Sequence, residues 1–128
     1  MNDSAQSPKL EGLRVLVVED EAPIALQLED MLSELGCGVI GPASRVGQAL
    51  RLIEGQEVDA AVLDLNIAGE LVYPVADALA ERGLPHIFVT GYGADALTEP
   101  YRNRLVLEKP FLRLALRQAM LDSLQRSA

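Results

Sequence analysis

Short, continuous apolar runs alternate along this chain with longer amphipathic stretches. The first run, LRVLVV at 13–18, is rich in β-branched residues, which is typical of a strand buried on both faces of a parallel sheet. After Pro23, apolar residues from Ile24 to Leu35 recur at helical spacing and stop at Gly36. The same patterns predict four further strands, at 37–43, 59–65, 85–90 and 104–108. They predict three further helices, at 44–55, 70–82 and 111–125.

This alternation predicts an α/β fold, because parallel neighbouring strands need helical crossovers between them. We expect a flavodoxin-like, five-stranded parallel sheet in the strand order 2-1-3-4-5, with helices on both faces. Between the fourth and fifth strands, Gly91, Gly93 and Pro100 oppose helix propagation. We therefore expect the fourth helix to be short or mobile, and the segment 91–103 to be the mobile element.

The length of 128 residues suits one domain, which we place at 13–126 after a flexible N-terminal tail at 1–12. The formal net charge of −8 argues against a nucleic-acid partner and against binding to an anionic membrane surface. Cys37 is the only cysteine, so an internal disulfide and a cysteine-rich zinc site are excluded. With neither a secretory signal pattern nor a membrane-length apolar run, we expect a cytoplasmic protein.

Polar residues stand where the predicted strands end. Glu19 and Asp20 follow the first strand, and Asp64 lies at the end of the third. Thr90 ends the fourth strand, and Lys109 follows the fifth. A single acidic residue at such a place is usually a helix cap or a solvated loop residue. The carboxyl ends of parallel strands share one edge of the sheet, however, so the whole set is expected to converge on one crevice.

The chemistry of that crevice follows from its charges. The carboxylates of Glu19, Asp20 and Asp64 would repel each other in a partly buried pocket. A hard divalent cation such as Mg²⁺ prefers carboxylate, water and phosphate oxygens and would relieve this repulsion. Lys109 supplies another positive charge, and Thr90 a hydroxyl donor. A carboxylate nucleophile with these partners matches the requirements of phosphoryl transfer.

Four segments resemble the response-regulator receiver family, and the similarity extends over 13–126. VLVVEDE (15–21) resembles the acidic pair after its first strand, and AAVLDLN (60–66) resembles its phosphoacceptor strand. FVTG (88–91) resembles its switch-threonine segment, and EKPF (108–111) its lysine-proline segment. The four motifs in this order are far more specific than any one of them.

The resemblance implies a magnesium site. Asp20 and Asp64 would ligate Mg²⁺ through their side chains, and Asn66 through its backbone carbonyl. Glu19 would act on the metal through water.

The resemblance also implies the reaction. Asp64 would accept a phosphoryl group from a phosphohistidine on a sensor histidine kinase and become an acyl phosphate. Lys109 and Thr90 would bind two of the phosphoryl oxygens. We expect a stand-alone receiver of a two-component phosphorelay, which is a phosphoacceptor signalling domain rather than an enzyme. It would signal by contact with a downstream protein or act as a phosphate sink.

One position departs from the common receiver pattern. Many receivers have a switch aromatic three residues before the lysine, where this chain has Val106. FVTGYG (88–93) instead resembles the FATGUY receiver subgroup, which lacks that aromatic and tends to work with HWE-type histidine kinases. Tyr92 would then take part in the switch, or it is an ordinary surface tyrosine.

Two other functions stay open at this point. A haloacid-dehalogenase-type phosphatase also forms an aspartyl phosphate, but it has its nucleophile on the first strand and a second Asp two residues on, where this chain has Asn66. A phosphorylation-independent protein-binding module would commonly have lost part of the acidic, threonine and lysine set. The expected partner surface is the segment 91–103 with the fifth strand and the last helix, and weak homodimerisation through it is left open.

Overall fold

The computed structural model of the chain describes residues 9–91 and 96–127. Within these residues the strands are β1 (Arg14–Val18), β2 (Gly38–Ala43), β3 (Ala60–Asp64), β4 (Asn66–Ile67), β5 (Glu70–Leu71), β6 (His86–Thr90) and β7 (Val106–Glu108). The α-helices of the same residues are α1 (Ala22–Glu34), α2 (Val46–Gly55), α3 (Tyr73–Glu81) and α4 (Arg113–Ser127). None of these helices is long and apolar enough to cross a membrane.

The main sheet has five parallel strands in the order β2-β1-β3-β6-β7. This confirms the predicted order 2-1-3-4-5, since the short β4 and β5 form a separate sheet. β3 is the central strand, and all five of its residues are buried. Its position explains the continuous apolar run before Asp64, because a central strand of a parallel sheet is covered on both faces.

Two apolar cores lie on opposite faces of this sheet. Because side chains alternate along a strand, Leu16 and Val18 of β1 face one core, and Val15 and Val17 face the other. The first core contains apolar residues of α2 and α3, and the second contains those of α1 and α4. Helices therefore pack on both faces of the sheet, as predicted.

The predicted helix at 70–82 is wrong at its start. Glu70–Leu71 pairs antiparallel with Asn66–Ile67, and the helix begins at Tyr73, with Pro74 tolerated in its first turn. The two-residue turn of this hairpin has positive φ at both positions, 53° at Ala68 and 85° at Gly69. Two positive φ angles are the signature of a type I′ turn, which suits the twist of a hairpin.

The chain between β6 and β7 forms turns over the described residues 96–105, with no α-helix there. Leu97 and Tyr101 are buried in the first core, so this part of the segment is packed against the domain. Residues 92–95 lie outside the described residues. The predictions that concern Tyr92 and the mobility of this stretch fall partly or wholly on them.

Leu10 and Gly12, near the end of the expected tail, contact the domain. Leu10 is only 6% exposed and belongs to the second core. The backbone N–H of Gly12 donates to the carbonyl of Gly36 at 2.9 Å, and the Cys37 thiol donates to the carbonyl of Leu10 at 3.3 Å. Packing therefore begins before Leu13, because tertiary contacts bury an isolated leucine in a polar stretch.

Candidate functional site

The polar residues that were predicted to converge do so at one edge of the sheet. Glu19 follows β1, Asp64 ends β3, Thr90 ends β6 and Lys109 follows β7. The Lys109 Nζ lies 3.2 Å from Glu19 Oε1 and 3.2 Å from Asp64 Oδ2. Three strands that are distant in sequence therefore place an ammonium group between two carboxylates.

The pocket is closed at its base and open at its rim. Glu19 and Thr90 are each 2% exposed, and Asp64 is buried just beneath the surface. Asp20 is exposed at the rim. The backbone N–H of Lys109 donates to the Thr90 carbonyl at 2.8 Å, so the sheet hydrogen bonding continues to the lysine.

The acidic side chains form a cluster of oxygen donors. One carboxylate oxygen from each of Glu19, Asp20 and Asp64 lies within 4.8 Å of the other two. Mg²⁺ prefers oxygen ligands. It suits a partly exposed site because it keeps several bound waters and uses only one or two carboxylates. The donor set therefore fits Mg²⁺, whereas the softer transition metals favour nitrogen and sulfur ligands.

The electrostatics of the pocket show an excess of negative charge. Burial raises the pKa of Glu19 to about 7, and the nearby Asp64 carboxylate also raises it. The Glu21 N–H, which donates to Glu19 Oε2 at 3.1 Å, and the Lys109 charge act in the opposite direction. Burial lowers the pKa of Lys109, but the charges of Asp64 and Glu19 outweigh burial and leave it raised. Lys109 therefore remains an ammonium at neutral pH.

The hairpin β4–β5 is linked to the acidic cluster, which the sequence patterns did not indicate. The Ala68 N–H in its turn donates to Asp20 Oδ2 at 3.0 Å, and the Gly69 N–H donates to Asn66 Oδ1 at 3.2 Å. The position of the turn and the orientation of Asp20 are therefore connected. The available signal was weak, because an Ala-Gly pair lacks the Asn-Gly or Asp-Gly signature of such turns.

The backbone of Asn66 is free of the hairpin ladder. The Val72 N–H donates to the Leu65 carbonyl at 2.9 Å, which makes that pair a hydrogen-bonded one. Hydrogen-bonded and non-hydrogen-bonded pairs alternate in an antiparallel ladder, so the Asn66–Leu71 pair is of the second kind. The Asn66 carbonyl consequently points away from β5.

An aromatic cluster joins α3 to the chain after β6. The rings of Tyr73 and Tyr101 stack with centroids 3.9 Å apart, and both contact Phe88 of β6 edge-on. Val106, which occupies the place of the usual switch aromatic, packs against the same core. The sequence patterns did not indicate this cluster, because its members are far apart along the chain.

This flavodoxin-like domain has three carboxylates, a threonine and a lysine at the carboxyl ends of its strands. That is the architecture of a receiver. The family model of the response regulator receiver domain matches residues 15–120. The chain therefore belongs to the response regulator receiver family, whose members are phosphoacceptor signalling domains of two-component systems.

Known proteins agree with this assignment. The transcriptional regulatory protein PdtaR of Mycobacterium tuberculosis is 30% identical over 102 residues, covering 77% of this chain and 50% of PdtaR. The chain thus spans about half the length of the curated relatives it matches. The solution structure of SdrG from Sphingomonas melonis Fr1 is 38% identical with a TM-score of 0.80, covering 91% of this chain and 99% of SdrG.

A third similar structure contains a metal ion. It is the receiver domain of the sensor histidine kinase PA1611 from Pseudomonas aeruginosa PAO1, whose structure has a magnesium ion coordinated in the active-site cleft. That domain is 25% identical with a TM-score of 0.73, covering 89% of this chain and 98% of its own. Receiver domains bind Mg²⁺ at an acidic pocket, and this chain has such a pocket at Glu19, Asp20 and Asp64.

Proposed function

We propose that this receiver is a phosphorylation switch in which Asp64 accepts a phosphoryl group from a phosphohistidine of a sensor histidine kinase. The observation that carries the proposal is the position of the Lys109 ammonium, 3.2 Å from Asp64 Oδ2 and bordered by the acidic cluster. A buried carboxylate beside a lysine, near the surface and next to cation ligands, suits an attack on phosphorus.

The reaction is a transfer between two side chains. An Asp64 carboxylate oxygen attacks the phosphorus, the phosphorus–nitrogen bond breaks, and the imidazole of the kinase leaves with the electron pair. The product is an acyl phosphate on Asp64. Lys109 pairs with one phosphoryl oxygen and the Thr90 hydroxyl donates to another, so negative charge that develops during the transfer is neutralised.

We assign the Mg²⁺ ligands to the side chains of Asp20 and Asp64 and to the backbone carbonyl of Asn66, with Glu19 acting through water. The orientation of the Asn66 carbonyl away from β5 supports its part in this set, because the hairpin does not use it. When bound, Mg²⁺ supplies positive charge that offsets the acidic cluster and the incoming phosphoryl group.

The phosphorylated receiver signals by contact with a downstream protein, or the receiver serves as a phosphate sink for the kinase. Leu112, just before α4, and Leu114, in its first turn, are 77% and 70% exposed, which supports a protein-binding surface on α4, β7 and the preceding segment. Weak homodimerisation would use the same surface. The FVTGYG segment supports membership of the FATGUY subgroup and an HWE-type kinase as the phosphoryl donor, with Tyr92 in the switch.

Intact-mass spectrometry after incubation with acetyl phosphate tests the proposal. We expect one phosphoryl adduct that requires Mg²⁺, is absent in Asp64→Asn and is retained in Asp30→Asn, a matched change of an exposed aspartate on α1. A folded protein that forms no adduct with Mg²⁺ present would contradict the proposal. That result would favour the alternative, a receiver-like module that binds its partner without phosphorylation.

A further inference from the structure

A second cavity lies at the opposite edge of the sheet from Asp64. It has a volume of about 260 Å³ and opens where β6 and β7 begin. His86, at the start of β6, is four residue steps from Thr90, or roughly 13 Å at about 3.3 Å per residue. The cavity is therefore separate from the acidic pocket, although both are built on β6.

The walls of this cavity combine an apolar side and a basic side. Ala80, Leu84 and Leu105 line the apolar side, and His86, Arg104 and Arg126 line the polar side. Among the residues that the structure describes, no acidic one lines it. In a chain with a formal net charge of −8, this is a local reversal of sign. A cavity with these walls selects an anion that has an apolar part.

The two arginines have neutral partners. Arg104 Nη1 donates to His86 Nε2 at 2.9 Å, and Arg126 Nη1 donates to the Asn103 carbonyl at 2.9 Å. Neither is part of an ion pair among residues 9–91 and 96–127. A guanidinium has five N–H donors, so each retains several for a ligand.

Arg104 is held in place before any ligand arrives. The His86 Nδ1 lies 3.0 Å from the Leu84 carbonyl, so Nδ1 carries the proton and Nε2 accepts from Arg104. The Arg104 guanidinium also lies 5.5 Å from the centroid of the Tyr101 ring. Fixing a guanidinium in this way reduces the entropy lost on binding.

We propose that this cavity binds a small organic carboxylate, with the carboxylate on Arg104 and Arg126 and a short aliphatic stem against Ala80, Leu84 and Leu105. Guanidinium groups match carboxylate geometry. The volume of about 260 Å³ lies just below the usual range of about 300–1,000 Å³ for ligand sites, which limits the ligand to a few carbon atoms beyond its carboxylate. Inorganic phosphate has no group for the apolar wall.

The test is a ¹H–¹⁵N NMR titration with acetate, propionate, butyrate and inorganic phosphate at constant ionic strength, with chloride as the reference. We expect saturable shifts of the Arg104 and Arg126 Nε–H signals and of the Leu105 amide. Affinity should rise about fourfold for each methylene that is buried, from acetate to butyrate. Shifts that match those of chloride, or phosphate binding tighter than butyrate, would overturn the proposal.

Matched variants separate a site from general charge effects. Arg126→Gln should weaken butyrate binding at least tenfold, whereas Arg51→Gln, which removes the same charge from the exposed face of α2, should leave it unchanged. Equal weakening in both variants would contradict a specific site. Butyrate should bind Asp64→Asn as it binds the unaltered chain, because this inference does not depend on phosphorylation.

Discussion

The Tyr101 hydroxyl donates a 2.6 Å hydrogen bond to Asp77 Oδ1. This bond links the chain between β6 and β7 to α3. A second bond, from the Thr98 N–H to the Tyr73 hydroxyl at 3.0 Å, links the same two elements one helical turn earlier on α3. The stacked rings of Tyr73 and Tyr101 lie between them. α3 and the segment that leads to Lys109 are therefore coupled by side chains rather than by a helix.

Tyr101→Phe removes one of these bonds while keeping the stacked ring. We expect the free energy of unfolding to fall by about 1–2 kcal/mol, since the acceptor is a carboxylate but is partly exposed. The bond to Asp77, with burial, raises the pKa of Tyr101 to about 12, in keeping with a neutral phenol as donor. Urea unfolding measures the loss. Asp77→Ala should lower the free energy of unfolding by less in the Tyr101→Phe variant than in the unaltered chain. If the effects of the two substitutions simply add, the two side chains are not coupled.

Lys109→Met leaves Glu19 and Asp64 without their shared cation. We expect the free energy of unfolding without Mg²⁺ to fall by about 1–3 kcal/mol. The fall arises because like charges then face each other in a buried pocket. Excess Mg²⁺ should stabilise this variant more than the unaltered chain in thermal unfolding. Lys109→Arg keeps the charge and is the control. Equal stabilisation of all three proteins by Mg²⁺ would show that the lysine does not offset the carboxylates.

Gly41 is required by its backbone and its surroundings. Its φ is +93°, and a Cβ there would lie 2.7 Å from the Ala43 nitrogen and 3.0 Å from the Val17 carbonyl oxygen. We expect Gly41→Ala to lower the free energy of unfolding by more than about 2 kcal/mol, because both atoms belong to the backbone. Gly47→Ala, within α2 and without such a contact, should instead stabilise by up to about 1 kcal/mol. Similar effects of the two changes on urea unfolding would refute this distinction.

His86 should make stability depend on pH. Burial lowers the pKa of His86 below its ordinary 6.5, and the charge of Arg104 lowers it further, against the effect of the Leu84 carbonyl. The unfolded chain therefore takes up a proton at His86 more readily than the folded chain. The contribution of neutral His86 to the free energy of unfolding is complete above pH 6.5 and is lost as the pH falls through the folded-state pKa. We expect urea unfolding of the unaltered chain to show a steeper loss below pH 6.5 than that of His86→Gln. Parallel curves would contradict the neutral, Nδ1-protonated state of His86.

The sheet and the polar residues at its strand ends could be predicted because each depends on a short, continuous stretch of sequence. A β-branched run predicts a buried strand, and the residue after it must lie at the strand's end, as Asp64 and Lys109 do. The hairpin was not predictable, since its strands have two residues each and Ala68 adopts a φ that propensity disfavours. Pairs such as Tyr101 with Asp77, which are 24 residues apart, arise only when tertiary packing brings two elements together.

The pairing of β6 with β7 fixes the spacing between Thr90 and Lys109. Thr90 pairs with Glu108 in that ladder, and the next residue, Lys109, is bonded to the Thr90 carbonyl. The separation between the hydroxyl and the ammonium is thus set by strand register, and a slip of one residue would turn every side chain of β7 to the other face. Exposed positions between the two strands, such as Glu99 and Arg102, can accordingly change without respacing the two groups, whereas Leu97 and Tyr101 are held by the first core. Both evolution and protein engineering can therefore change the recognition surface of this segment while the positions of Thr90 and Lys109 stay the same.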